Sequence, residues 1–361
     1  MKTLHLIVGA RPNFMKIAPL HAELSKYPRQ FQVRLVHTGQ HYDERMSQFF
    51  FNDLGMPRPD EYLGVGSGSH GEQTARVMER YEEVLLRDRP DLVVVAGDVN
   101  STMACALDAV KLHIPVAHLE AGLRSFDRAM PEEINRVVTD SISHWLLTPS
   151  RDGDANLLRE GVPRERIHFV GNIMIDSLVS HRDRAARSVI LDELGVKAGC
   201  YVLITLHRPS NVDTREGLET ILAAFEELAR EVNLVFPIHP RTVKRLDEFG
   251  LTDRVEAIKR LRLIEPVGYL DFLKLEMDAG LVLTDSGGLQ EETTYFGVPC
   301  LTMRPNTERP VTITEGTNQL VPLSTPIIVQ MAREALRDGK TGRIPELWDG
   351  HTAQRIAALW L

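Results

Sequence analysis

Cysteine is scarce in this chain: three residues, Cys105, Cys200 and Cys300, stand far apart among 361. Such spacing excludes a disulfide framework and a zinc-ligand pattern, so no metal is expected and the thiols read as small buried side chains in a reducing compartment. Long apolar runs are missing as well. None approaches the roughly 20 residues that a membrane-spanning helix requires, so no membrane partner is expected. Positive charge is in deficit, with 42 Lys and Arg against 50 Asp and Glu and a net charge of -8. A basic face for nucleic acid is thereby excluded, and an anionic ligand has to be held by a local cationic site. Nucleotide-binding fingerprints are absent too. The first turn, GARPNFMK, holds one glycine and a proline where G-x-G-x-x-G would stand, and no P-loop occurs. Bound NAD and P-loop chemistry are therefore not expected, and no cofactor is assigned. The opening MKTLHLIVGARP breaks off in a turn without the apolar core of a signal peptide, so a cytoplasmic protein is expected. The lack of any short fixed-period repeat excludes solenoids and propellers.

What is present is a composition of 43% apolar and 25% charged residues, that of a folded chain longer than one core usually supports. Short apolar runs alternate with helical patterns: LHLIVGA, a helix over 12–26, QVRLVHTG, a helix over 71–87, DLVVVAGD, a helix over 101–112, PVAHLEAG and a helix over 131–143. HWLLTPS, a helix over 151–160 and IHFVGN continue the series. This alternation predicts a parallel sheet covered by helices on both faces, and runs that are apolar on both sides, such as LVVVAGD, agree with it. At Tyr201 the pattern restarts with YVLITLH, then a helix over 215–230, LVFPIHP, a helix over 241–249, RLRLIEP, a helix over 269–277, AGLVLTDSGG, a helix over 289–296 and PCLTM. The expected fold is α/β, with two Rossmann-like doubly wound domains, 1–170 and 171–350, facing a cleft. The charged stretch 181–199 is expected to hold the linker and a short helix, and 351–361 a helix packed back onto the first domain.

Ligands of doubly wound sheets bind beyond the C-terminal ends of the strands, so the polar residues at strand exits are the candidates. These are Arg11 and Lys16, Gln40 and His41, Asp98, Glu120 and Arg124, His207 and Arg208, His239, and Asp285 to Gly288. In TDSGGLQEE a strand leads through Ser286, Gly287 and Gly288 into a helix. Glycines admit close approach of a ligand, and a helix start offers free N–H groups and a positive dipole end to a diphosphate. Glu292, one turn on, is placed to accept hydrogen bonds from ribose hydroxyls, and Arg309 in TERPVT adds a cation. A plain strand-to-helix turn capped by Ser286 is the alternative.

Asp98, Glu120, Glu132 and Glu133 gather four carboxylates in one region without metal-ligand spacing. Crowded carboxylates repel and lose solvation, so some are expected to be pushed up into the range useful for proton transfer. Asp98 has the alternative of capping the helix after it, and Glu132 or Glu133 that of complementing a helix dipole. Glu120 ends an apolar strand before Ala-Gly, a costly placement unless it has a partner. His207 follows a second-domain strand, where a cationic ring would neutralise phosphate charge, whereas His118 and His5 read as core histidines.

Taken together, GARPNFMKIAPL, TGQHYD, AGDVNST, HLEAGLRS, MPEEINR, GNIMIDS, LHRPSN, PIHPRT, SGGLQEE and TERP resemble the non-hydrolysing UDP-N-acetylglucosamine 2-epimerases, in order over nearly the whole chain. The resemblance implies the two-domain GT-B fold, UDP held mainly by the C-terminal domain, no cofactor and a homodimer. It implies that a base removes the C2 proton, UDP leaves C1, and a bound 2-acetamidoglucal takes UDP back with C2 reprotonated on the other face. On the matching positions it implies acid-base roles for Asp98, Glu120 and Glu132, with His207 supporting the departing diphosphate. Arg11, Ser286, Gly287, Gly288 and Arg309 match contacts to phosphate or sugar, Glu292 the ribose contact, Phe272 the uracil-binding stretch and Lys16 a nearby basic position. Gln40, His41 and Gln73 match a second, activating site of bacterial members, although Glu72 stands where its arginine is expected, and Val-Asn-Ser follows Asp98 where many members have threonines. Four other readings remain open at this point: a hydrolysing epimerase releasing ManNAc and UDP, an epimerase of a modified UDP-GlcNAc, a GT-B glycosyltransferase, and a silent sugar-nucleotide sensor.

Overall fold

In the first of its two sheets, the chain repeatedly lays down a strand whose alternate side chains enter different cores. In β1 (Lys2–Val8), Leu4, Leu6 and Val8 join one apolar cluster while Ile7 joins another. In β4 (Leu92–Ala96), Leu92, Val94 and Ala96 face the first cluster, and Val93 and Val95 the second. This double burial, about 1.5–3 kcal/mol for each large side chain, is the reason these runs are apolar throughout rather than alternating. The computed structural model describes residues 1–39 and 54–361, with Arg11 described by its backbone alone. Adding β2 (Phe31–His37), β3 (Glu61–Tyr62), β5 (Val116–Leu119), β6 (Trp145–Thr148) and β7 (Ile167–Phe169) gives a parallel sheet of order β3-β2-β1-β4-β5-β6-β7.

The second sheet comprises β8 (Tyr201–Thr205), β9 (Asn233–Pro237), β10 (Leu261–Ile264), β11 (Leu281–Thr284), β12 (Cys300–Thr302) and β13 (Asn318–Leu320). It is parallel, with order β10-β9-β8-β11-β12-β13. Each sheet reverses its winding once, between β1 and β4 in the first and between β8 and β11 in the second. Two Rossmann-like doubly wound units result, the α/β architecture of the GT-B class.

Compact units comprise Met1–Ser177 with Glu346–Leu361, and Leu178–Pro345. The division falls inside the helix Ile173–Ala185 and not in a linker at 181–199. The reason is apolar: Ile173, Ile175, Leu178 and Ala185 are all buried, so one helix runs through the boundary between the units. The short helix Ile190–Leu194 then packs Ile190 into the second unit.

The last helix, Thr352–Trp360, lies on Arg11–Leu24 and puts Ile356, Ala357 and Trp360 into the first unit's core. Asp176 caps it, accepting from the N–H groups of Thr352 at 3.0 Å and Ala353 at 2.8 Å, and Lys2 Nζ donates to the Trp360 carbonyl at 2.7 Å. Gly171, at φ 92, lets the returning chain pass, since a Cβ there would stand 2.2 Å from the Leu347 carbonyl. Ile356→Ala is expected to lower the unfolding free energy of the first unit by about 2–5 kcal/mol, the usual cost of truncating a fully buried aliphatic side chain. Urea denaturation checks this, and a loss below about 0.5 kcal/mol would show that the helix is dispensable to that core.

Candidate active site

The winding reversal of the first sheet gathers the polar residues of three strand exits. From the helix Arg11–Leu24, which follows β1, come Asn13 and Lys16. Asn13 stitches two exits together, accepting from the Ala10 N–H at 2.9 Å and donating to the Ala96 carbonyl at 2.7 Å. Parallel register sets Ala96 beside Leu119, so Gly97 and Glu120 leave adjacent strands side by side. Gly97 has φ 68, and a Cβ on it would stand 2.8 Å from Lys16 Nζ. Glycine is thus required for the lysine to reach Glu120, with which it forms a buried ion pair.

Glu120 itself is held at φ 71, a left-handed conformation that costs a non-glycine residue about 1–3 kcal/mol. It is only 4% exposed, with Oε2 on Lys16 and Oε1 buried without a hydrogen-bond partner among the described residues. Lys16 is therefore the partner that a carboxylate in this position needs, and is not the solvated cation that its sequence context allowed.

Asp98 does not cap the following helix, whose N-cap is Val99 without a side-chain bond. Its Oδ2 accepts from Arg136 Nη1, and its backbone carbonyl accepts from Asn135 Nδ2 at 2.8 Å. Arg136, 2% exposed, also donates to Glu133 Oε2 through Nε at 3.0 Å and Nη2 at 2.7 Å. Glu133 in turn receives the N–H groups of Ser125 at 3.0 Å and Phe126 at 2.9 Å. The crowding expected to raise these carboxyls does not do so at Glu133. Burial pushes it up, but the Ser125 N–H, the Arg136 guanidinium and the Phe126 N–H outweigh this and hold it below the usual range. Glu133 is thus a brace for the loop before the helix Pro131–Ile142. Glu132, on that helix's first turn, is half-buried and makes no side-chain hydrogen bond among the described residues.

Beneath this edge, His118 in β5 bonds Asp140 at 2.6 Å and the Gly97 carbonyl at 2.8 Å, as a satisfied core histidine should. Arg124, a strand-exit candidate, is buried against Asp140 at 2.7 Å and Glu160 at 2.7 Å, which commits it to structure.

In the second unit the winding reversal brings the β8 and β11 exits together through the pair Thr284 and Thr205. Asp285, fully buried, accepts from the N–H groups of His207 at 3.1 Å and Arg208 at 2.9 Å, from Asn211 Nδ2 at 3.1 Å, and lies 3.1 Å from His207 Nδ1. Burial opposes its ionisation, but the His207 ring, the Arg208 N–H and the Asn211 amide prevail and hold its carboxyl below the usual range. The helix Gly287–Phe296 starts at Gly287, with Ser286 as N-cap and no side-chain cap bond, so the hydroxyl is not used as the plain-turn alternative required. A Cβ on Gly287 would stand 2.7 Å from Arg309 Nη1, whereas one on Gly288 would meet nothing within 4 Å. Arg309 is buried between Glu308 and Glu291, the latter at 3.0 Å. Phe272 lies half-buried on the helix Tyr269–Met277. From the same helix the fully buried Glu276 sits beside Glu292, and burial, then the Glu292 charge, push the Glu276 carboxyl far up.

Of the second-site candidates, Gln40 and His41 lie outside the described residues, as does the side chain of Arg11. Gln73 is buried and accepts from Asn100 Nδ2 at 2.9 Å. Glu72, where an arginine is expected, serves the helix start instead: it accepts the Ser69 N–H at 3.0 Å while its own N–H reaches Ser69 Oγ at 3.3 Å. Sequence reading missed Arg136 and Asn13. For Arg136 a signal existed, since it follows Glu133 by one helical turn in PEEINR. Asn13 carried none.

Fold and strand-exit chemistry together define an α/β enzyme of the GT-B class. The chain belongs to the UDP-N-acetylglucosamine 2-epimerase family, whose model matches residues 22–360. It is 43% identical to the UDP-N-acetylglucosamine 2-epimerase of Methanocaldococcus jannaschii over 99% of this chain and 98% of that one. It is also 43% identical to the UDP-2,3-diacetamido-2,3-dideoxy-D-glucuronate 2-epimerase of Pseudomonas aeruginosa, over 93% of this chain and 92% of the relative. Among solved structures, the M. jannaschii 2-epimerase in complex with UDP-GlcNAc and UDP superposes with a TM-score of 0.92, covering 99% of each chain at 43% identity. The Neisseria meningitidis UDP-GlcNAc 2-epimerase bound to UDP-GlcNAc gives 0.89 at 30% identity, again covering 99% of each chain.

Proposed function

We propose that this isomerase interconverts UDP-N-acetylglucosamine and UDP-N-acetylmannosamine by elimination and re-addition of UDP through a 2-acetamidoglucal. The observation that carries the reading is Glu120: a carboxylate in a strained backbone, charge-paired with Lys16, with its second oxygen buried and unbonded among the described residues. That arrangement costs stability and is explained by a ligand group that the second oxygen serves. Asp98, Glu120 and Glu132 act on the C2 proton, and no redox step is needed. In the second unit, Ser286, Gly287 and Gly288 present the helix start to the diphosphate, Glu292 takes the ribose hydroxyls and Phe272 the uracil side. His207 supplies positive charge to the departing group, and Arg309 and Arg11 contact the phosphates or the sugar. Gln40, His41 and Gln73 belong to a second sugar-nucleotide site, and the active form is a cytoplasmic homodimer.

Incubation with UDP-GlcNAc in deuterated water is expected to yield UDP-ManNAc carrying deuterium at C2, read by NMR and mass spectrometry. Failure to form the epimer or to exchange at C2 sinks the assignment, and stoichiometric release of UDP with free ManNAc identifies a hydrolysing enzyme instead. A second reading, a modified sugar, is favoured by one finding: the relative named for a diacetamido uronate is as similar, at 43%, as the M. jannaschii 2-epimerase. Turnover of the diacetamido uronate at a higher kcat/KM than UDP-GlcNAc would establish it.

A further inference from the structure

The second-unit site contains a histidine held by a buried carboxylate, and the way it is held assigns a role to both. Asp285 lies beyond the end of β11 and His207 beyond the end of β8, 78 residues earlier, and the pairing of Thr284 with Thr205 brings them into contact. Asp285 Oδ1 stands 3.1 Å from His207 Nδ1. The same carboxylate receives the main-chain N–H groups of His207 and Arg208 and the amide of Asn211, so both the loop and the ring are tied to it. An ionised carboxylate only accepts, so Nδ1 must be the donor and must carry a proton. His207 remains 44% exposed at its side chain, and its Nε2 makes no hydrogen bond among the described residues. Among the described residues, the other titratable ring facing it is that of His239, at the β9 exit, 5.8 Å away between centroids.

We propose that Asp285 is a positioning residue that fixes the His207 ring with Nδ1–H towards itself, and retains the imidazolium whose Nε2–H donates to the diphosphate oxygen as it leaves C1. The assignment rests on the reading that the second unit holds the UDP diphosphate. No proton has to be transferred: UDP leaves as the anion, and the ring supplies a charged donor to an oxygen that gains charge as the C1–O bond breaks. A buried carboxylate is suited to this because its negative charge offsets the cost of a second proton on the ring, and because its loop contacts leave the imidazole one orientation. Asn211, which holds the opposite side of the carboxylate, completes the set.

Long-range 1H–15N spectra of the histidines, with UDP as the ligand, test the state directly. His207 Nδ1 is expected to be protonated at neutral pH, in free and UDP-bound protein alike. A spectrum with Nδ1 bare in the wild type overturns the proposal without recourse to any variant. Asp285→Asn is expected to lower kcat by about 10²–10³-fold, as loss of one charge-stabilising donor does. It should weaken UDP no more than His207→Ala does. The double variant should be no slower than His207→Ala alone, because the two act as one unit. Additive losses in the double variant would reduce Asp285 to a strap for the loop. Should the wild type fail to epimerise UDP-GlcNAc, the substrate reading falls, while the tautomer and UDP affinities still judge the dyad.

Discussion

Glu120→Gln is expected to slow epimerisation and C2 exchange together by about 10²–10⁴-fold, the span that a positioned acid-base group supplies, with UDP affinity changed less than threefold. The amide has nearly the shape of the acid, so it removes a proton acceptor and little else from the ligand side. It does, however, leave Lys16 buried without its counter-charge, and a broken buried pair is costly. Stability is therefore expected to fall with activity, and the two effects have to be separated. Replacing both partners, as Lys16→Met with Glu120→Gln, removes the uncompensated charge and is expected to recover much of the lost stability while activity stays low. Recovery of turnover in the double variant would contradict an acid-base role. The left-handed backbone at 120 belongs to the same argument, since a residue under strain there is retained only where the surrounding structure holds it.

Arg136→Met is expected to cost about 3–5 kcal/mol of unfolding free energy, because it deletes the shared cation of two carboxylates inside the first unit. Glu133 keeps the N–H groups of Ser125 and Phe126, but Asp98 loses the guanidinium that orients it. Turnover should consequently fall with stability, and chemical denaturation alongside steady-state rates checks both. Arg136→Lys is the discriminating variant: an ammonium is a point charge and cannot serve Asp98 through one edge and Glu133 through another. It should restore part of the stability and little of the rate. A lysine variant with full activity would show that Asp98 needs a nearby positive charge and not a fixed orientation.

Coupling of Asp98 to structure is wider than this pair. Asn135 holds the Asp98 carbonyl and lies 3.2 Å from Asn100 Oδ1, and Asn100 donates to Gln73. The Val-Asn-Ser sequence after Asp98, unusual against the resemblance, thereby gains a physical use: its asparagine bridges the helix His70–Arg87 to the loop that carries the candidate base.

Much of the architecture was legible because it rests on local pattern. Apolar runs of strand length, each followed by a helical period, specify parallel strands with helices on both faces, and Ser-Gly-Gly at a strand end marks where a backbone lies open to an anion. Asp98, Glu120 and His207 could be singled out by their place at strand exits, whereas Glu132 stands on the first turn of a helix. In the charged stretch 181–199 the expected short helix is present, at Ile190–Leu194, while residues 181–185 belong to the end of a helix that begins earlier, at Ile173.

Partners are another matter. Lys16 with Glu120, Arg136 with Asp98, and Asp285 with His207 are separated by 104, 38 and 78 residues, and no sequence spacing announces them. Glu120 could be seen to need a partner, but the Gly97 turn and the register of β4 against β5 chose Lys16. The sequence by itself thus determined the elements, the class of fold and the residues able to do chemistry, because these depend on side-chain type and short-range period. Only the tertiary structure decided which charges compensate one another, because long-range parallel pairing sets the order in which strand ends meet, and burial then makes each unpaired charge too costly to leave alone.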